Sequence, residues 1–282
     1  MIVDKPGGMT SHDVVARVRR LAGTKKVGHA GTLDPMATGV LVIGVEKATR
    51  LLGYLTLTEK EYSATIRLGQ STSTDDAEGE VTGGAPATDV PAETLAKAIA
   101  GLTGDIQQVP PAVSAIKVDG QRAYRLTRAG AAPELKARPV TVHEFRVTGT
   151  QRDGDMLDID ATVRCSSGTY IRALARDLGA TLGTGGHLTR LRRTRVGGYR
   201  IEDALTLEQL TGRFEVLPLA QAAAAAFPSR TLTADEAHRL AHGGRLGPSG
   251  TDKPTAAYAP DGTLIALVTE ESGQARPLVV FA

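Results

Sequence analysis

The strongest constraint on the fold is that apolar residues recur with a period of two, in segments that follow one another without intervening helices. Tyr62-Ser63-Ala64-Thr65-Ile66-Arg67-Leu68 alternates as a strand with one buried face must. Residues 139–149 and 156–165 read as two strands in succession, and shorter strands are expected at Ile2-Val3-Asp4, 40–45 and 112–118. Helical spacing appears after Thr10 or Ser11, either of which can cap, with Val14, Val15, Val18 and Leu21 on one face and Gly23 closing the helix. Further helices are expected at 46–54, 92–101 and 169–182, and a basic one at 120–130. In 169–182, Ile171, Leu174, Ala175, Leu178 and Leu182 share a face. Residues 70–90, rich in Gly, Thr, Asp and Ala, suit a loop or hairpin. Strands outnumber helices and do not alternate with them, which predicts an α+β fold with a large mixed, mainly antiparallel sheet flanked by helices.

The alanine run at 221–227 reads as a helix end or linker. Beyond it, short strands at 229–233, 254–259, 263–269 and 277–281 are separated by Gly and Pro turns. The expected organisation is a main domain over 1–220 and a small β-rich domain over 229–282. A chain of 282 residues buries a core without staples. Its single cysteine, Cys165, excludes an intrachain disulfide and fits a reducing compartment. With no apolar run near the length of a bilayer span and no apolar leader in Met1 to Pro6, a cytoplasmic location is expected.

The net charge of +2 conceals a division. Residues 1–200 carry 27 Lys and Arg against 21 Asp and Glu, whereas residues 201–282 carry 6 against 10. The basic residues cluster: Arg17, Arg19, Arg20, Lys25 and Lys26; Arg122, Arg125, Arg128, Lys136 and Arg138; Arg190, Arg192, Arg193, Arg195 and Arg200. Such clusters suit a polyphosphate partner, because each neutralised phosphate releases counterions; solvated helix faces explain any one of them equally well.

The densest motif is Gly28-His29-Ala30-Gly31-Thr32-Leu33-Asp34-Pro35-Met36-Ala37-Thr38-Gly39. Its glycines let backbone approach a ligand closely, and Pro35 restricts Asp34 to extended geometry, which fixes the direction of one carboxylate. Taken alone, it is also compatible with a Gly-rich turn in which Asp34 caps the backbone. It lacks the Gly-Lys-Ser/Thr ending of a phosphate-binding loop. His29 and Asp34 have no third metal ligand at matching spacing. His238 and His242 share a helix face but lack the Glu of a His-Glu-x-x-His site, and Asp75-Asp76-Ala77-Glu78-Gly79 reads as a surface loop.

The same motif resembles the catalytic loop of the pseudouridine synthase family that modifies uridine 55 in the T-loop of bacterial tRNA. Further matches occur in family order. They are Asp4-Lys5-Pro6-Gly7-Gly8-Met9-Thr10-Ser11, Lys60-Glu61-Tyr62 leading to Leu68-Gly69, Gln108-Val109-Pro110-Pro111 to Ser114-Ala115-Ile116-Lys117, and Arg138-Pro139-Val140. They continue with Cys165-Ser166-Ser167-Gly168-Thr169-Tyr170-Ile171-Arg172 and Gly186-His187-Leu188 to Leu191-Arg192-Arg193. The resemblance spans about residues 2–200 and fades after about residue 220; family members usually carry a few residues before the Asp-Lys-Pro segment. It implies a pseudouridine synthase fold with a C-terminal domain of the kind appended to RNA-modifying enzymes. It also implies Asp34 as catalytic aspartate, Tyr62 as the aromatic stacking on the target uracil, Arg172 as the cation paired with the aspartate, and His29 as an aid to everting the uridine. Lys5, Tyr170 and Leu191 match substrate-binding positions, and Arg125 and Arg128 are expected to grip the T-arm of tRNA. No metal or cofactor is implied, and a monomer is expected.

These residue types suit the chemistry. Moving uracil from N1 to C5 linkage needs a carboxylate beside the sugar, a flat partner to hold the detached base, and exclusion of water. A base in an RNA loop leaves its stack more cheaply than one in a duplex. Two alternatives remain at this level: a noncatalytic RNA-binding protein using the same basic face, and, with less support, a metal-dependent hydrolase using His29, Asp34 and His187.

Overall fold

The computed structural model describes residues 1–113, 117–118, 121–122 and 135–281. The chain divides into two compact units. One comprises Met1–Asp34, Gly39–Thr58 and Arg195–Ala282, the other Pro35–Thr38 and Glu59–Thr194.

In the first unit, strand β1 (Ile2–Lys5) pairs antiparallel with β3 (Thr38–Val45), Ile2 lying opposite Val42, and β2 (Val27–Ala30) pairs with the far half of β3. Helix α1 (Ser11–Ala22) begins at Thr10, whose hydroxyl accepts from the Asp13 backbone while the Asp13 carboxylate accepts from the Thr10 backbone. This reciprocal cap contributes about 1 kcal/mol. Gly23, in the left-handed region at φ 61°, ends the helix. Val14, Val15 and Val18 are its buried face. The stretch expected to be helical at 46–54 is a 3-10 turn, Glu46–Leu51, followed by the short helix α2 (Leu52–Thr56).

The later part of this unit folds back on the earlier part. Strand β13 (Tyr199–Arg200) pairs with residues 195–196, and the Leu205 backbone bridges to Val3. Helices α5 (Leu207–Gly212) and α6 (Leu219–Ala226) then lead into a four-stranded sheet. Its order is β14 (Ser229–Thr231), β15 (Thr255–Tyr258), β16 (Leu264–Glu271), β17 (Gln274–Val280), with only the first pair parallel. Val42, Leu55, Tyr199, Phe227, Leu267 and Phe281 belong to one hydrophobic cluster, so strands from both ends of the chain share a core. A second cluster, including Leu240 of α7 (Ala234–Ala241), Leu246 and Val268, fills the space beneath that helix. His238 and His242 are exposed.

The second unit is built on a sheet in the order β12 (Gly186–Val196), β4 (Lys60–Leu68), β11 (Met156–Cys165), β10 (Arg138–Asp153), β7 (Gly104–Gln108). β11 lies antiparallel to β4 with Val163 opposite Tyr62 and Cys165 opposite Lys60, and β10 is antiparallel to both its neighbours. Alternation sorts the side chains by face. Ile66 and Leu68 of β4 and Ile159, Ala161 and Val163 of β11 are buried. On the opposite face, Thr65 donates to Asp160 and the Arg67 guanidinium pairs with Asp158 at 2.8 Å. Helix α4 (Ile171–Thr181) buries Ile171, Leu174, Ala175 and Leu178. Helix α3 (Ala92–Gly101), the hairpin of β5 (Ser71–Thr72) and β6 (Val81–Gly83), and the pair β8 (Lys117–Val118) and β9 (Gln121–Arg122) complete the described elements.

Two expectations are corrected. Gln121–Arg122 is strand, not the start of a basic helix over 120–130; the rest of that stretch, with Arg125 and Arg128, lies outside the described residues. Residues 186–196, read as a family motif and part of a basic cluster with no strand assigned, form strand β12. The strand escaped notice because an inward position is occupied by Arg193, only 1% exposed, which breaks the apolar alternation.

Candidate active site

The Asp34 motif is a β-hairpin rather than a loop throughout: Gly28, His29 and Ala30 lie on β2 and Gly39 on β3, leaving residues 31–37 as the connection. Gly31 at φ 77° and Gly39 at φ 99° adopt backbone conformations that a side chain would strain. The buried hydroxyl of Ser11 reaches from the first turn of α1 to hold this connection. It accepts from the Leu33 amide at 2.9 Å and donates to the Leu33 carbonyl at 3.1 Å. Both backbone groups preceding Asp34 are thus fixed by one side chain, and Leu33 itself is buried. Asp34 is half-buried. His29 meets His12 edge to face at 5.5 Å between ring centroids. Lys5 is fully buried; its ammonium donates to the carbonyls of Pro6, at 2.8 Å, and Met9, at 2.6 Å, which ties down the Pro-Gly-Gly turn.

Tyr62, Tyr170, Arg172 and Leu191 belong to the other unit. Tyr62 sits on the buried face of β4, 8% exposed, and Leu191 on β12 is equally covered. Tyr170 caps α4; its amide donates to Gln108 Oε1 at 2.8 Å and its carbonyl accepts from Gln108 Nε2 at 3.1 Å. Arg172, in the first turn of α4, is 4% exposed. It donates to the carbonyls of Thr74 and Val113, both at 2.8 Å, and pairs with Asp76 at 3.5 Å.

The surface-loop reading of residues 75–79 is therefore corrected for Asp76, which is 3% exposed. Besides Arg172, its carboxylate accepts from the Thr74 hydroxyl and from the Glu78 amide at 3.1 Å. One turn along α4, Arg176 pairs with Asp75 at 3.2 Å and with Asp177, and donates to the Val109 carbonyl. Burial raises the Asp75 carboxyl above its ordinary range against the opposing pull of Arg176 and Arg172. Sequence reasoning missed Asp76 and Gln108 because their partners are 96 and 62 residues away; the only local signal was an Asp pair following the hydroxyl run Ser71 to Thr74, which also describes a turn.

The face carrying Tyr62 holds two more polar groups. Lys60, 6% exposed, is two residues from Tyr62 and opposite Cys165. Burial, reinforced by the charge of Arg193, pushes its ammonium down to about 8. Burial pushes the Cys165 thiol up to about 11. His187 is buried with Nδ1 against the Gln70 carbonyl at 2.9 Å, a structural role, and no group of three or more His, Cys, Asp or Glu among the described residues could hold a metal ion. Among those residues no helix is long and apolar enough to cross a membrane.

Comparison with known proteins identifies the family. Residues 19–171 match the TruB family pseudouridylate synthase N-terminal domain, 172–218 the tRNA pseudouridylate synthase B C-terminal domain, and 227–282 the C-terminal model of tRNA pseudouridine synthase II. The chain is 65% identical to the tRNA pseudouridine synthase B of Thermobifida fusca (strain YX), covering 100% of this chain and 98% of that one. It is 59% identical to the protein of the same name from Arthrobacter sp. (strain FB24), covering 100% and 96%. Among solved structures, an H/ACA RNP bound to a substrate RNA containing 2′-deoxyuridine is similar at a TM-score of 0.73 and 25% identity, over 99% of this chain and 83% of that chain. A Cbf5-Nop10-Gar1 complex is similar at a TM-score of 0.73 and 26% identity, over 100% and 83%. With the family model covering more than half of its length and full-length relatives well above 30% identity, the chain belongs to the TruB family of pseudouridylate synthases.

Proposed function

We infer that this protein isomerises uridine 55 in the T-loop of tRNA to pseudouridine. The observation that carries the reading is similarity along the whole chain to proteins named tRNA pseudouridine synthase B, in a molecule that keeps Asp34 on a hairpin secured by Ser11. Asp34 is the nucleophile, Tyr62 stacks on the uracil and Arg172 steadies the catalytic carboxylate. Stacking of one base contributes about 1–3 kcal/mol. His29 assists eversion of the uridine, and Lys5, Tyr170 and Leu191 line the substrate site. Buried Leu33 and Ile171 support the exclusion of water that would otherwise hydrolyse the intermediate. Arg125 and Arg128 bind T-arm phosphates, so neutralising both lowers the salt slope of tRNA binding by about 2. The protein acts as a cytoplasmic monomer without cofactor.

The test is release of tritium from a tRNA transcript labelled at C5 of uracil. Wild-type protein releases label from uridine 55, and Asp34→Asn slows release by at least about a thousandfold. Release unchanged in that variant, or undiminished when uridine 55 is replaced by cytidine, contradicts the reading.

A further inference from the structure

Ser11 stands at the first position of α1, where a serine ordinarily serves the helix end or faces water. Here it does neither. Thr10 and Asp13 already close the helix start between them, and Ser11 is 1% exposed. Its hydroxyl is committed instead to a residue 22 positions away, accepting from the Leu33 amide at 2.9 Å and donating to the Leu33 carbonyl at 3.1 Å. Leu33 lies in the connection between β2 and β3, outside their ladder, so both of its backbone groups need a partner from elsewhere. One hydroxyl, acceptor and donor at once, supplies both.

The bond to the carbonyl reaches Asp34 through covalent geometry. That carbonyl belongs to the planar peptide whose other end is the Asp34 Cα, so an oxygen held in place fixes the plane and the point from which the carboxylate projects. On the far side, the Pro35 ring restricts the Asp34 backbone. The anchor is itself well seated. Val14, Val15 and Val18 bury the inner face of α1, and His12 meets His29 of β2 edge to face. The buried Lys5 ammonium ties the turn leading into the helix through the Pro6 and Met9 carbonyls. Ser11, Leu33 and Asp34 all belong to the same compact unit.

We propose that Ser11 is a positioning residue for catalysis: its hydroxyl refers the Asp34 carboxylate to the rigid body of α1 and holds it in register for attack. On the isomerase reading, on which this role rests, Asp34 acts only from a narrow range of positions. A displacement of about 1 Å costs on the order of a hundredfold in rate. Groups that grip tRNA elsewhere are untouched by it. The loss therefore falls on turnover of bound tRNA, not on its affinity.

Threonine and valine share a branched outline and differ by the hydroxyl, so strain from the added methyl is common to both. The experiment is single-turnover tritium release at saturating labelled tRNA for wild type, Ser11→Ala, Ser11→Thr and Ser11→Val. Affinity for tRNA and denaturant midpoint are measured alongside, each variant at a temperature where circular dichroism shows it folded. Ser11→Ala and Ser11→Val should bind tRNA as wild type does yet turn over roughly tenfold to a hundredfold more slowly. Ser11→Thr should be at least about tenfold faster than Ser11→Val. A hydroxyl with a purely structural role would lower the midpoints and leave the folded variants turning over at the wild-type rate. That result overturns the proposal, as does a loss seen in affinity rather than turnover, or a Ser11→Thr no faster than Ser11→Val. If Ser11→Val does not fold, the comparison of Ser11→Ala with Ser11→Thr decides. Absence of release by wild type sinks the isomerase reading itself, whereas release with any of the three contrary results sinks only the role of Ser11.

Discussion

Asp76 and Arg172 are each 4% exposed at the side chain, and neither can lose its partner without leaving a charge in a poorly solvated place. Asp76→Ala should lower unfolding stability by about 3–5 kcal/mol, measured by denaturant titration, and should reduce tritium release because Arg172 is no longer held. A loss below about 1 kcal/mol would show that water reaches the pair. Cys165 presents the opposite case, a neutral group protected by burial. Between pH 9 and 11 the folded protein retains a thiol proton that the unfolded chain has given up, so this residue makes stability fall as pH rises. Lys60 acts in the other direction. From pH 8 to 10.5 the folded state has shed a proton that the unfolded chain keeps, so its contribution rises with pH. Denaturant midpoints across pH 9 to 11 should therefore fall less in Cys165→Ala than in wild type, and native Cys165 should react slowly with iodoacetamide.

At the level of elements, what could be read in the sequence follows from how local the cause is. Helix α1 was legible because its cap at Thr10, its valines and Gly23 are all local signals, and β4 and β11 because their alternation is uninterrupted. Strand β12 was not, since Arg193 inverts the pattern at an inward position, and Asp76 looked like a turn residue because its partner lies on α4. Of the residues proposed for catalysis, Asp34, Tyr62 and Arg172 were named from a family resemblance; their chemistry alone fitted ordinary turn, strand and helix positions equally well. Helix α4 makes its own demand. A methyl group at Gly179 would stand 2.2 Å from the Gly185 carbonyl carbon and the Gly186 amide, which are backbone atoms that cannot swing aside. Gly179→Ala should cost at least about 1–3 kcal/mol despite its better helix propensity. An unchanged melting temperature would mean that the 185–186 turn relaxes without penalty.

At the scale of the molecule, the final sheet is bound into the unit that contains β1 to β3. Lys47 and Arg50 donate to the carbonyls of Phe281 and Val280, the Arg50 guanidinium lies 4.9 Å over the Phe281 ring, and the Tyr54 hydroxyl reaches the Leu278 carbonyl at 3.4 Å. Removing residues 229–282 takes Leu264, Leu267 and Phe281 out of the core shared with Val42 and Leu55. The truncated protein should aggregate or lose cooperative melting; a soluble, cooperatively melting product with native circular dichroism would show that the remaining residues suffice. The basic balance of residues 1–200 against the acidic balance of 201–282 places the expected salt dependence of tRNA binding on the former.

The discontinuity of the first unit also bears on how the ribosome delivers it. Residues 59–194 form a nearly contiguous unit that can begin to condense as soon as it emerges. Residues 1–34 and 39–58 emerge first yet must wait for β16 and β17, a delay of roughly 10–45 seconds at bacterial elongation rates. For that interval the apolar run of β3 is exposed on a nascent chain, an obvious place for a holding chaperone to bind.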